Sequence, residues 1–255
     1  MDEHGELKGT GPDVFVSYDA CISWARIALS LREPALRSME ERRQVWRDQP
    51  SEGDKAKSLE KEFAITMQAV VAAVTCIDAL YDQVAPHAPI SDATRKSWKK
   101  NRTARHTQIA ETLRAAFRIN AKDMKNVRHL LRAMYTLRHA SVHPSSTPQP
   151  PHQHPELDIA TDWRLTTFRG DVADFFVCSA VGMLFDISRG TKFHCEELTK
   201  FIDELRKKMD KLLPNGRLAP LSSNITFNLP PTGRQGRAEK NLGWWSEGEA
   251  CCSIA

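Results

Sequence analysis

Glycine is scarce in this chain, and so are the alternating patterns of β-strands. The sequence has 12 glycines in 255 residues, and it contains neither a phosphate-binding glycine loop nor a nucleophile elbow. No pair among its six cysteines has the spacing of a zinc finger. The first residues are acidic and glycine-rich, unlike a secretory leader. These features argue against an all-β fold, a P-loop nucleotidase, an α/β-hydrolase and a zinc-finger protein.

Long apolar runs are lacking as well. A run such as Val70–Val74 is far too short to span a membrane, so we expect a cytoplasmic protein without membrane contact. Cys21, Cys76, Cys178 and Cys195 are scattered through apolar helical patterns, as reduced core thiols of cytosolic proteins are. The last four residues, 252–255, match a C-terminal prenylation box, although the segment before them is only weakly basic.

Apolar residues recur instead at steps of three and four, which is the period of a buried helical face. This pattern predicts helices at 14–32, 34–47, 51–85, 91–117, 121–142, 161–189 and 194–213. Residues 144–158 contain five prolines and are expected to form a loop. We therefore predict an all-α fold, an antiparallel bundle of four or more long helices over residues 13–213. A flexible N-terminus (1–12) and a flexible tail (214–255) would flank it.

Positive charge is concentrated in the middle of the chain. Between Arg95 and Arg138 there are 13 Lys/Arg and two acidic residues, a net of +11, whereas the whole chain carries only +4. Such a block indicates a polyanion as partner, although a helix can also expose a solvated basic face without binding anything. The residues we expect to bind RNA are Lys99, Arg102, Arg105, Arg128, Arg132 and Tyr135.

The stretch from Arg138 to Pro144 combines an arginine, two histidines and a hydroxyl at a predicted helix end. Pro144 disfavours helical geometry at His143, so this imidazole can turn back towards Arg138. A permanently charged guanidinium beside a titratable imidazole suits chemistry on a phosphodiester. On the earlier helix, Asp78 lies on an apolar ridge, where burial is costly unless the carboxylate is paired.

These residues resemble the HEPN superfamily (higher eukaryotes and prokaryotes nucleotide-binding), whose members are helical bundles and in many cases metal-independent endoribonucleases. The shared motif is an arginine, four to six residues and a histidine, and Arg138-His139-Ala-Ser-Val-His143 fits its four-residue form. Family members often carry an acid on an earlier helix, and Ile77-Asp78-Ala79 is similar to that segment. The resemblance covers roughly residues 55–190.

The resemblance implies RNA cleavage through the ribose 2′-OH, with no cofactor and no metal. His143 would act as general acid or base, and Arg138 would stabilise the charge of the transition state. His139 and Ser141 would position groups or contact phosphate, and Asp78 would orient Arg138 or His143. A homodimer is implied, because the family's site usually forms between two protomers. An antitoxin or regulatory protein is a further possible partner, but Ser145 stands where toxins of this family carry a modifiable tyrosine.

Two other interpretations remain open at this stage. A non-catalytic helical module could bind RNA or protein, with Arg138 as a structural ion-pair residue and His143 as a cap. Alternatively, a zinc or nickel site could form from His139, His143, His152, His154 and Glu156.

Overall fold

Helices predominate in this computed structural model. It describes residues 19–48, 51–142, 150–190 and 193–222, with only the backbone at 121–123. The elements are α1 (Ala20–Arg47), α2 (Glu52–Val84), a 3-10 turn (Ala85–His87), α3 (Asp92–Lys100), α4 (Arg105–Phe117), α5 (Ala121–Val142), β1 (His152–Gln153), β2 (Ala160–Thr161), α6 (Trp163–Thr167), α7 (Gly170–Arg189) and α8 (Glu196–Leu212). The strands form one short antiparallel pair. The prediction of an all-α helical bundle is confirmed.

Helix α2 is the centre of the bundle and packs against α1, α4, α5 and α7. It begins as the sequence predicts, because the Ser51 side chain accepts a hydrogen bond from the Asp54 N–H. The Cys76 thiol donates to the Cys21 carbonyl at one end of α1, and Glu62 accepts from Arg42 at the other end. Helices α1 and α2 are therefore antiparallel neighbours.

The predicted helices differ from the observed ones at three places. Helix α1 continues through Pro34, because its face with Ala28, Ala35 and Met39 is buried against the bundle and outweighs one lost donor. The predicted helix 91–117 is divided into α3 and α4, with Arg102 at a positive φ of 49°. The predicted helix 161–189 is divided into α6 and α7 at the extended residue Arg169.

The ordered bundle extends beyond residue 213, where we expected the tail to begin. Arg217 forms an ion pair with Asp186 of α7 at 2.9 Å, and the Leu221 N–H donates to Asp174 Oδ2 at 2.6 Å. Residues 214–222 thus contact α7 and belong to the folded unit. Residues 1–18 and 223–255, with the rest of both predicted flexible ends and the prenylation box, lie outside the described residues.

Within the described part of the chain, one helical stretch is long and apolar enough to cross a membrane. It consists of α2 and the 3-10 turn, Glu52–His87, and half of its most apolar window is buried inside the bundle. The core helix of a globular protein passes the same test of length and composition, and α2 occupies the core position here.

Candidate functional site

The candidate site is the junction of α2, α4 and α5, which we define by Asp78, Asp82, Arg105, Tyr135 and Arg138. Arg105 donates from Nε to Asp78 Oδ1 at 3.0 Å and from a terminal nitrogen to Asp82 Oδ1 at 2.9 Å. Its guanidinium also stacks on the Tyr81 ring, 4.0 Å from the ring centroid. Burial opposes the charge of Arg105, but the hydrogen bonds to the two carboxylates outweigh burial and raise its pKa.

Tyr135 lies inside this α2–α4–α5 junction with 9% of its surface exposed. Burial raises its pKa well above the usual value, and the nearby Asp78 carboxylate adds to the rise. The Tyr135 hydroxyl is buried yet makes no hydrogen bond of standard geometry with the described residues, so it is close to Asp78 without being bonded to it. We expected Tyr135 to bind RNA, but this burial removes it from the exposed basic face.

Unlike Arg105, Arg138 has no ion-pair partner among the residues that the structure describes. Its Nε atom is buried and has no hydrogen-bond acceptor among the described residues. Tyr135 lies one helical turn earlier on α5, and the positive charge of Arg138 partly offsets the rise of the Tyr135 pKa that burial causes. We expected Asp78 to orient Arg138 or His143, but in the described part of the chain Asp78 forms its ion pair with Arg105.

The other motif residues follow at the end of α5. His139 is exposed, whereas Ser141 is half-buried and donates its hydroxyl proton to the Leu137 carbonyl at 2.8 Å. Ser141 also lines an apolar groove between α1, α2 and α5. His143 lies outside the described residues, as does Ser145.

The predicted RNA-binding surface is less uniform than its charge suggests. Lys99 and Arg102 are exposed, but Arg128 forms an ion pair with Glu111 at 2.6 Å. Burial favours the neutral form of Glu111, yet the hydrogen bond from Arg128 prevails and lowers its pKa. Arg105 is also paired, so two of the six residues expected to bind RNA form ion pairs with acidic residues of the same chain.

His106 is a candidate residue that the sequence analysis did not identify. Its pKa is lowered by burial and then by the positive charge of Arg132, which both favour the neutral imidazole. The pattern contained a usable indication, because His106 precedes Ile109, Leu113 and Phe117 at steps of three and four. A polar residue on that apolar stripe corresponds to the position of Asp78 on α2.

A second polar cluster, which we call the Arg42 network, lies between α1, α2 and the β1–β2 segment. Arg42 is fully buried and donates to Glu62 Oε2 at 2.5 Å and to Glu156 Oε2 at 2.7 Å. His154 is 2% exposed, and its Nδ1 accepts from the Glu156 N–H. Its pKa is lowered to about 4, by burial and then by the charges of Arg42 and Arg169.

This network removes the support for the metal site considered above. Glu156 accepts from both Arg42 and Arg43, which lowers its pKa to about 2 despite partial burial. Its carboxylate is therefore engaged, and His154 is enclosed within the reach of the charges of Arg42 and Arg169. The arrangement instead fastens the β1–β2 segment to α1 across 114 residues of chain.

Comparison of the chain with family models, with curated proteins and with solved structures found no match.

Proposed function

We propose that this protein is a metal-independent endoribonuclease of the HEPN type, acting in the cytoplasm as a toxin or defence effector. The observation that carries the proposal is the arrangement around Arg138. Its Nε is buried without a hydrogen-bond acceptor among the described residues, and Arg138 lies one helical turn after Tyr135 and five residues before His143. An arginine without a carboxylate partner keeps its donors for an anionic ligand such as phosphate.

The chemistry is an internal transesterification followed by release of the two RNA ends. The ribose 2′-oxygen attacks the adjacent phosphorus while His143 accepts the 2′-OH proton as general base. The P–O5′ bond breaks, and the departing oxygen takes a proton from water, which leaves a 2′,3′-cyclic phosphate and a 5′-OH. The hydroxide formed takes up the proton held by His143, and the histidine is neutral again. Arg138 stabilises the charge on the phosphorus oxygens in the transition state.

The remaining residues of the junction would act on this reaction indirectly, by positioning Arg138. Asp78 holds Arg105, and the Tyr135 hydroxyl is close to Asp78. Arg138 follows Tyr135 by one helical turn, and the charges of Arg105 and Arg138 both act on the Tyr135 hydroxyl. Asp78 would thus influence Arg138 through Tyr135 and Arg105 instead of pairing with it. His139 and Ser141 would contact the substrate backbone, and Lys99, Arg102 and Arg132 would attract RNA. A homodimer and a regulatory protein are the partners that accompany this proposal.

The deciding experiment compares cleavage of a defined RNA by the wild type and by His143→Ala and Arg138→Ala variants, all in excess chelator. We expect wild-type products with 2′,3′-cyclic phosphate and 5′-OH ends, and losses of about a hundredfold or more in each variant. Arg128→Ala is the matched control, since Arg128 lies on the same helix but pairs with Glu111. Undiminished cleavage by both site variants, or cleavage that needs a metal, would refute the proposal.

A second candidate function is a non-catalytic module that binds RNA or a protein. Arg105 and Arg128 are paired with acids of the same chain, which favours this alternative. Such ion pairs can hold helices together and give no support to a catalytic role of the basic residues. Retention of RNA by the wild type without any cleavage, and unchanged retention by Arg138→Ala, would support this alternative over the nuclease.

A further inference from the structure

A histidine, a cysteine and a glutamate meet where the turn after α2 reaches the N-terminus of α8. His87 is the last residue of the 3-10 turn, Cys195 is the N-cap of α8, and Glu197 is its second residue. One potential ligand atom from each residue lies within 4.8 Å of the other two. The Cys195 thiol also contacts the His87 carbonyl at 3.8 Å, so the two segments touch although 108 residues separate them.

We propose that His87, Cys195 and Glu197 form a zinc-binding site. A thiolate, an imidazole and a carboxylate are all established ligands of Zn²⁺, and the thiolate disfavours Mg²⁺ and Ca²⁺, which prefer oxygen ligands. Three protein ligands leave the fourth position of a tetrahedral zinc ion for water. The thiolate and the carboxylate together balance the charge of the ion, and the imidazole binds in its neutral form.

The geometry requires only small movements to reach zinc coordination. Ligands held at the usual zinc distances of about 2.0–2.3 Å in a tetrahedron lie roughly 3.4 Å from each other. The potential ligand atoms of the three residues are at most 4.8 Å apart, so each side chain needs to move by about 1 Å or less. His87 and Glu197 are exposed and Cys195 is partly exposed, so their side chains can turn without displacing the core.

The consequence would be a link between α8 and the end of the central helix α2. An ion that binds the folded chain and not the unfolded chain stabilises the fold in proportion to the logarithm of its concentration. The inference departs from our expectation of no metal, because a metal site is recognised in a sequence by closely spaced ligands, whereas His87 and Cys195 are 108 residues apart. It does not depend on the proposed nuclease activity.

The test is a titration of chelator-stripped full-length protein in which Cys251 and Cys252 are replaced by serine, so that the thiols of residues 223–255 do not bind metal. We expect one Zn²⁺ per chain in competition with a chromophoric chelator. Co²⁺ should give the absorption of a thiolate-to-metal charge transfer, which reports Cys195 directly. Zinc should also raise the midpoint of thermal unfolding.

Variants decide which residues bind the ion. His87→Ala and Cys195→Ala should each weaken zinc binding at least tenfold, and Cys195→Ala should abolish the charge-transfer band. His194→Ala is the matched control, because His194 is exposed, adjacent to Cys195 and outside the cluster. Circular dichroism of the metal-free variants confirms that they are folded. Absence of zinc binding at micromolar concentration, or affinity and spectra unchanged in both variants, would overturn the proposal.

Discussion

Arg138 and Arg105 illustrate how two arginines of one junction acquire different roles. Arg105 donates to Asp78 and Asp82 and stacks on Tyr81, so its donors are committed to the protein. Arg138 has a buried Nε without an acceptor in the described part of the chain. Leaving such a donor unsatisfied costs about 1–3 kcal/mol, which a bound phosphate oxygen would offset.

Replacement of Asp78 is the first residue-scale prediction. The Asp78 carboxylate holds Arg105, and its charge raises the pKa of Tyr135; Asp78→Asn removes both effects. We therefore expect RNA cleavage to fall about tenfold or more, with little change in RNA binding. Chemical denaturation should show a loss of about 1 kcal/mol or less, since both partners are partly exposed.

Asp82→Asn is the control for that change, because Asp82 pairs with a terminal nitrogen of Arg105, leaves the Asp78–Nε contact in place and is more exposed than Asp78. Cleavage kinetics should leave the Asp82 variant near the wild type. Equal activity in the Asp78 variant and the wild type would show that Asp78 has no positioning role.

The dependence of stability on pH is the second residue-scale prediction. The pKa of His154 in the folded chain is about 4, below the unperturbed value of about 6.5 for histidine. As the pH falls from about 6.5 to 4, the unfolded chain binds a proton here and the folded chain does not. This contribution to stability is therefore present above pH 6.5 and is lost on acidification, with a magnitude on the order of 2–3 kcal/mol.

Urea denaturation at pH 7 and pH 5 checks this expectation. A His154→Gln variant should show a smaller difference between the two pH values than the wild type, and His152→Gln, two residues earlier and partly exposed, should not. If His154→Gln retained the full difference, the acid sensitivity would have to arise elsewhere, for example at His106, whose pKa is also lowered.

At the scale of single elements, the sequence predicted the ends of a helix best where capping or helix-breaking residues stand at those ends. The bounds of α5 agree with its predicted range, and α2 begins at the predicted Ser51 cap. The division between α3 and α4 was missed, because residues 101–104 contain neither glycine nor proline. The partners of Asp78 and Glu156 were missed for another reason. They come from α4 and α1, and their identity depends on helix packing that local periodicity does not encode.

Gly170 provides a prediction about the packing of α7 on α1. A Cβ atom at Gly170 would lie 2.5 Å from the Ala35 carbonyl oxygen and 2.8 Å from the Met39 Cβ. Both are parts of the α1 framework that cannot rotate away, so Gly170→Ala must separate the helices. It also disturbs the hydrogen bond from the Gly170 N–H to Glu62. We expect a loss of about 1–3 kcal/mol in the free energy of unfolding.

Gly53 is the matched control for this substitution. It lies in the first turn of α2, and the nearest atom to an added Cβ is Ser51 Oγ at 3.7 Å. Gly53→Ala should therefore be neutral or stabilise the protein by up to about 1 kcal/mol, because alanine favours helix. Equal stability of the Gly170 variant and the wild type in urea titrations would show that α1 and α7 tolerate a wider separation.

At the scale of the whole molecule, the described fold leaves two features on the same part of α5. Arg138 faces the α2–α4–α5 junction, and Ser141 and Val142 border the apolar groove with Trp24 and Met67. Val142 and Ile27 are two of the large hydrophobic residues that remain exposed among the described residues. Apolar surface beside the motif that we propose to be catalytic is consistent with the homodimer that accompanies the proposed function.

The composite site makes a prediction about mixtures of inactive variants. If catalysis joins Arg138 of one protomer to His143 of its partner, an Arg138→Ala chain and a His143→Ala chain together rebuild one intact site in each mixed dimer. If equal amounts of the two variant chains exchange at random, half of the dimers are mixed. One of the two sites in each mixed dimer is intact, so activity should return to about a quarter of the wild-type level. Each variant alone should remain inactive, and light scattering should show dimers in every sample. Dimers that exchange subunits without regaining activity would place both residues of a working site in one chain, and a monomer at micromolar concentration would exclude a shared site.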